Sequence, residues 1–453
     1  MAFLTRRLAA LHADHRRIAL GAARVAFFLL IGKAVGAFKE MAVAYRYGIS
    51  DVVDAYQFTL TLANWLPVTL VGACSVVLIP ALVRSRRGDA CQHGRFLGEL
   101  LAWTLGLGAV IALLLVFAWP WVLQVAGQGL SPAVQDMSRL LILGFAPAAL
   151  FTVWTGLSAA CLRAHERHIN TLLDSVPALM ILIWVLAAPA GAGVMPLLWG
   201  TVLGYALQSF WQHRLARRAD DVPVRVRLSR QAPQWSSLAA AAGIMLVGQL
   251  AMSFVGPIDQ YTAAQLGQNA NATLGYAARL LSLMIGLGAA SVGRAALPVL
   301  ADVQSRGDAA HARTMALKWS CVMLGLGAVA VLLGWWLAPW FVSLLFERGA
   351  FTAQDTVAVA QVLRWGLLQL PFFFGVLILV QLLASQNRYG WMAAIAVLNF
   401  LIKAGMNAVL APRMGVEGIM LATSLMYALS YAAYLVLALR MRPGLKPGKE
   451  VKG

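Results

Sequence analysis

Apolar runs of about 20 residues or more recur from Ile18 to Leu439, and each is long enough to cross a hydrocarbon core about 30 Å thick as a helix. Inside a bilayer the backbone must satisfy its own hydrogen bonds, which leaves helices or a closed barrel. No run shows the ten-residue apolar and polar alternation of a barrel strand. The sequence therefore reads as an all-α polytopic membrane protein. Twelve spans are expected, near 18–46, 53–83, 96–126, 138–162, 170–190, 194–212, 236–264, 273–303, 319–345, 357–385, 391–411 and 416–439. Charged residues make up 12% of the chain, against about 25% in soluble domains. The outside loops are short, so no separate soluble domain is expected to carry an active site.

The net charge of +18 would suggest nucleic acid in a soluble protein, and its placement gives it another meaning. Lys and Arg of alternate loops sum to 25 on one side, while the other carries only Arg46, Arg348 and Arg413. Cytoplasmic loops hold the excess of basic residues. Both termini are thus expected in the cytoplasm, and the basic loops are expected to meet anionic lipid rather than nucleic acid.

The chain repeats itself. Val35-Gly36-Ala37-Phe38-Lys39-Glu40 leads on to Ile79-Pro80-Ala81-Leu82 and Arg86-Arg87-Gly88-Asp89-Ala90. About 220 residues later, Val255-Gly256-Pro257-Ile258-Asp259-Gln260 leads on to Leu297-Pro298-Val299-Leu300 and Arg306-Gly307-Asp308-Ala309. The offset is six spans, an even number, so the copies share one orientation. This predicts two six-helix bundles related by a pseudo-twofold axis along the membrane normal, with a central cavity between them. The expected organisation is a basic segment 1–17, a bundle 18–213, a basic linker 214–235, a second bundle 236–440 and a basic tail 441–453.

Charge inside the spans marks candidate function, because burying it costs at least about 2.5 kcal/mol per residue. The basic residues there are Arg24, Lys33, Lys39, Arg139, Arg279, Arg294, Arg364 and Lys403; the acids are Glu40, Asp54, Glu99, Asp174, Asp259 and Asp302. Lys33 and Glu40 are seven apart and share a helix face. Lys39 and Glu40 either pair near the outer interface or serve a cavity. Arg294 either snorkels at an inner end or faces the same site as Arg279. Asp259 follows Gly256-Pro257, a pair that interrupts a helix. It stands at the repeat position of Lys39, so an ion pair, a coupling-ion role and plain structural pairing are all open. Asp54 could cap the second span.

The four cysteines form no CxxC pair, and the seven histidines lie in inside loops or at inner span ends. Disulfides, metals and a His relay are therefore not expected. Several cations with no catalytic constellation suit an anionic substrate such as a phosphate or pyrophosphate, and Trp65 and Leu66 would meet an apolar part of the same molecule.

From Gly32 to Arg440 the chain resembles the MurJ/MviN family of lipid-linked precursor flippases, within a superfamily that also holds oligosaccharide flippases and multidrug exporters. Leu344-Leu345-Phe346-Glu347-Arg348-Gly349-Ala350-Phe351-Thr352-Ala353-Gln354-Asp355-Thr356 is similar to the family's outside loop before the tenth span. Asn399, Asn407, Pro412, Gly415, Gly418 and Ala422-Thr423-Ser424 are similar across the superfamily. Gly32-Lys33-Ala34-Val35-Gly36-Ala37-Phe38-Lys39-Glu40 stands where members carry Ser-Arg-x-x-Gly-x-x-Arg-Asp. The resemblance implies that Lys33 and Lys39 take the places of two cavity arginines, Glu40 that of the acid, and Asp54 that of a second acid. It likewise implies that Arg279, in Tyr276-Ala277-Ala278-Arg279-Leu280, and Asn64, in Asn64-Trp65-Leu66-Pro67-Val68, are substrate-contacting positions. Departures are lysine for both arginines, Ala278 for an acid, loss of two cations after Asn64, and twelve spans where typical members have two more.

The expected function is movement of a polyprenyl-(pyro)phosphate-linked saccharide, a lipid II-like or exopolysaccharide precursor, from the inner to the outer leaflet of a bacterial inner membrane by alternating access. Lys33, Lys39, Arg279, Asn64 and Arg294 are the expected substrate residues, with Glu40, Asp54 and Asp259 as cavity or coupling acids. No cofactor is expected; membrane potential, H+ and Na+ are the open driving forces. The expected partners are the glycan lipid and the membrane, with no nucleic acid, and the expected state is a monomer. The alternatives are a drug or organic-cation exporter, which should favour acids in its cavity, and a membrane-embedded glycan ligase or glycosyltransferase, which would need a larger loop with acids, His or metal ligands.

Overall fold

This computed structural model describes residues 13–440 apart from 168, 190, 233–234, 236–242, 244–245, 247–248, 251–252, 268, 287–308 and 387. Everything regular among them is helical. Among the described residues, eight helices are long and apolar enough to cross a membrane by length and composition. The expectation of an all-α polytopic protein is met.

The chain divides into two units. The first holds residues 1–253 with 348–350, and the second holds the rest. In the first unit the helices are α1 (Ala13–Tyr47), α2 (Asp51–Arg86), α3 (Ala90–Ala126), α4 (Pro132–Ala164), α5 (Asn170–Leu173), α6 (Val176–Ala187) and α7 (Met195–Asp220). Helix α4 packs on α2, α3 and α7, and α1 packs on α6. Its Leu141, Phe145, Ala148 and Ala149 are buried, whereas Leu113, Leu114, Phe117 and Trp121 of α3 are exposed. An apolar face of that size belongs against lipid, since lipid tails are as apolar as the side chains themselves.

The second unit holds α8 (Val255–Leu266), α9 (Ala309–Phe346), α10 (Ala353–Leu367), α11 (Leu370–Ser385), α12 (Tyr389–Met414) and α13 (Val416–Arg440). Residues 270–286 are also helical. Here α9 packs on α10 and α11, α12 on α13, and α8 on α12. Phe254 is a turn between helical Ser253 and α8, so Gly256-Pro257 marks the start of a new helix. Pro is tolerated in a first helical turn, where its missing N–H would have no partner in any case.

The basic segment after α7 is a strap laid along α3. Arg227 N–H donates to the Gly98 carbonyl at 3.4 Å, and a side chain at Gly98 would collide with the Arg225 carbonyl. Glycine lets the two backbones approach this closely. Glu99 is 0% exposed. Its carboxylate accepts from Ser229 Oγ at 2.5 Å, Gln231 N at 3.2 Å, Ala232 N at 3.2 Å and Trp235 Nε1 at 2.6 Å. The strap's other end is fixed at Asp220, whose Oδ1 lies 3.4 Å from Nε2 of both His93 and His165. Glu99 therefore serves to anchor the strap, and four donors together offset the cost of burying its charge.

Candidate substrate and ion-pair residues

In the first unit the charged element of α1 is built around Lys39. Its Nζ lies 2.6 Å from Glu40 Oε1, and both residues are buried. Lys39 also sits 5.7 Å from the centroid of the Tyr56 ring on α2, and that ring packs edge-on against Phe145 of α4. The ammonium is held by a carboxylate and an aromatic face, a combination that lets a cation persist away from water. Lys33, six residues earlier, is only partly buried.

Helix α2, which brings Tyr56 against Lys39, carries further buried polar side chains. Tyr56 Oη, Gln57 Nε2 and Asn64 Oδ1 are buried and take no hydrogen bond among the described residues. Gln57 and Asn64 are seven apart and share a face of α2. Buried polar atoms of this kind call for a ligand or water to complete them. Asp54 does not cap α2 as expected. Ser50 holds the N-cap position and its side chain makes no capping bond, while Asp51 and Asp54 lie in the first turn. Asp54 is 2% exposed and gains from the partial positive charge of the helix start.

In the second unit Asp259 finds its partner on α12. Asp259 Oδ1 lies 2.7 Å from Lys403 Nζ, and the Lys403 side chain is 0% exposed. Lys403 also donates to the Ile419 carbonyl at 2.8 Å and Thr423 Oγ1 at 2.5 Å, both on α13. An ammonium has three N–H donors, and these three acceptors use them all. Asn407 Nδ2 adds bonds to Asp259 Oδ1 at 3.0 Å and Thr262 Oγ1 at 3.2 Å. For Asp259, whose role the sequence leaves open, the geometry shows an ion pair with Lys403 within its own unit. Lys403 had no role in the sequence reading. The available signal was spacing: Asn399, Lys403 and Asn407 recur every four residues along one face of α12, and Asn399 bonds Ser430 Oγ of α13 at 3.1 Å.

Arg279 lies partly exposed in the helical stretch 270–286, three residues after Tyr276, which is buried against Phe346 and Phe351. Arg294 lies outside the described residues. The loop that carries the longest motif is fixed by its polar residues. Thr352 and Asp355 form a reciprocal capping box at the start of α10, Thr356 Oγ1 donates to Glu347 Oε2 at 2.9 Å, and Gly349 has φ 62°. The Ser343 and Thr356 hydroxyls hold the Glu347 carboxyl below its ordinary range.

Arg46 is one of three basic residues on the sparse side. It closes the C-terminal end of α6, donating to the Val185 and Ala188 carbonyls at 2.7 Å each and to the Pro189 carbonyl. The last carbonyls of a helix lack intrahelical partners, and a guanidinium supplies donors in a fixed fork.

Buried charge carried on long apolar helices is the arrangement of a multi-pass membrane protein with polar sites between its helices. The fold agrees with solved transporters. A structure described as lipid II flippase MurJ in an inward closed conformation superposes with a TM-score of 0.78 at 18% identity, covering 92% of this chain and 88% of that one. An inward-facing multidrug resistance MATE family transporter of the MOP superfamily gives 0.74 at 13% identity, covering 91% and 97%.

The family model described as lipid II flippase MurJ matches residues 43–452, and the chain belongs to that family. It is 24% identical over 363 residues to the lipid II flippase MurJ of Burkholderia cenocepacia, covering 75% of this chain and 68% of that protein. It is also 24% identical over 463 residues to a probable lipid II flippase MurJ of Synechocystis, covering 96% and 84%.

Proposed function

We propose that this protein flips a polyprenyl-(pyro)phosphate-linked saccharide across a bacterial inner membrane by alternating access, supplying a precursor for the cell wall. The reading rests on membership of the MurJ family over residues 43–452, and one local observation carries it: the buried Lys39–Glu40 pair on α1 beside unsatisfied polar atoms of α2. Lys39 would exchange Glu40 for a substrate phosphate, with Lys33 as a further cation and Gln57 and Asn64 bonding the polar head; Arg279 of the second unit is a separate candidate cation. Lysine gives charge without the bidentate geometry of arginine, which suits a phosphate that must be released as well as bound.

Displacing Glu40 from Lys39 leaves a carboxylate that favours a proton or cation, so coupling to H+, Na+ or the membrane potential is proposed to act through Glu40 and Asp54. The placement of 25 basic residues on one side supports cytoplasmic termini. We propose a monomer as the working unit. Depletion of the cell's own flippase with complementation by this chain tests the reading. Lys33→Ala and Arg279→Ala should each abolish complementation at normal membrane levels, and rescue by both variants would refute the assignment.

A further inference from the structure

The strap that Glu99 anchors meets the membrane at a defined depth. Trp103 and Trp121 of α3 are 36% and 75% exposed and stand eighteen residues apart, about 27 Å of helix rise. Tryptophan favours the two membrane interfaces, and that rise is close to a hydrocarbon thickness of about 30 Å. Trp103 therefore marks headgroup depth at the strap end of α3. Its Nε1 donates to the Ser229 carbonyl at 3.1 Å, and the guanidinium carbon of Arg230 lies 4.1 Å from the Trp103 ring centroid. A guanidinium stacked on an aromatic face keeps its N–H edge available for phosphate oxygens.

Beside Trp103 lies a pocket of about 210 Å³ between α2, α3 and α4, lined by Leu70, Cys74, Thr104, Val153, Leu157 and Trp235. Apolar cavities of about 150 Å³ stay dry and take up small hydrocarbons. Charge fixes the other end of the ligand. Residues 222–235 contain Arg225, Arg227 and Arg230 and no acid, and the three arginines are exposed. Glu99 is buried and engaged with the strap, so it leaves Arg230 its charge.

We propose that this cavity seats one acyl chain of an anionic glycerophospholipid, with the lipid's phosphate on Arg230. A single stacked guanidinium matches a single phosphodiester, and an apolar cavity beside the same Trp103 matches the chain that hangs from one. Such a lipid would cement the strap to α3.

The test uses the purified full-length protein in detergent, with thermal unfolding followed as dioleoyl phosphatidylglycerol or dioleoyl phosphatidylcholine is added. Phosphatidylglycerol should raise Tm by roughly 4 °C, and phosphatidylcholine by less than half as much. Arg230→Gln, at an exposed site, should reduce the phosphatidylglycerol shift to the phosphatidylcholine level. Thr104→Phe fills the cavity from α3 and Cys74→Leu narrows it from α2; each should remove the shift with both lipids. Equal shifts from the two lipids, or a preference for phosphatidylglycerol that survives Arg230→Gln, would overturn the proposal. So would a larger shift from undecaprenyl phosphate that Thr104→Phe abolishes, because the cavity would then hold an isoprenoid chain.

Discussion

Asp259 of α8 and Lys403 of α12 meet at 2.7 Å, with the lysine side chain fully buried and its remaining donors taken by Ile419 and Thr423. The pair ties three helices of the second unit together. Removing one member of a buried pair leaves the other charge uncompensated, whereas removing both can be nearly neutral. Asp259→Asn and Lys403→Met should each destabilise the protein by about 3–5 kcal/mol, and the double variant should recover most of that loss. Thermal unfolding of the three variants in one detergent measures the coupling.

The two lysines of α1 should separate stability from transport. Lys39→Ala strands Glu40 as a buried carboxylate and should cost about 3 kcal/mol or more. Lys33→Ala removes a partly exposed side chain and should change stability by less than about 0.5 kcal/mol. Unfolding in detergent, run beside complementation, should show both variants inactive and only Lys39→Ala unstable.

Glu99 should control access to the strap. Glu99→Ala deletes the acceptor for four donors, and bonds to a charged group contribute about 1.5–3 kcal/mol each. Local opening of 222–232 should therefore rise at least about tenfold. Trypsin cleavage at Arg225, Arg227 and Arg230, timed by mass spectrometry, reads that opening.

The loop before α10 should show a pH signature. Hydroxyls of Ser343 and Thr356 lower the Glu347 carboxyl below its ordinary value of 4.5. A group depressed in the folded state contributes stability that is present above its unfolded value and is lost as pH falls through the folded one. Thr356→Val should therefore lower Tm relative to the parent above about pH 4.5, and the part of that difference due to Glu347 should fade on further acidification. Parallel Tm measurements from pH 7 to pH 3 on the two proteins follow it.

Much of the fold was legible because a bilayer permits few solutions. Long apolar runs in Ala90–Ala126 or Pro132–Ala164 have to be helices, and both are helical. Lys39 and Glu40 were legible as well, since charge in such a run is rare. The partners of isolated charges were not legible. The repeat placed Asp259 opposite Lys39, yet Asp259 bonds Lys403, 144 residues further along the chain, because α8 packs on α12. Arg46 looked like a loop charge and closes α6. Asp54 looked like a cap and is buried one turn inside α2.

The sequence by itself determined the solvent, the helical secondary structure and the residues whose charge is out of place. Those follow from local length, composition and spacing, each of which has one inexpensive answer in a membrane. Only the tertiary structure decided which charges neutralise one another, because a buried ion pair depends on distances of about 3 Å between helices far apart in the chain. It also decided that the basic linker is a strap held by Glu99, since nothing local to Ser229 or Trp235 names a carboxylate 130 residues away.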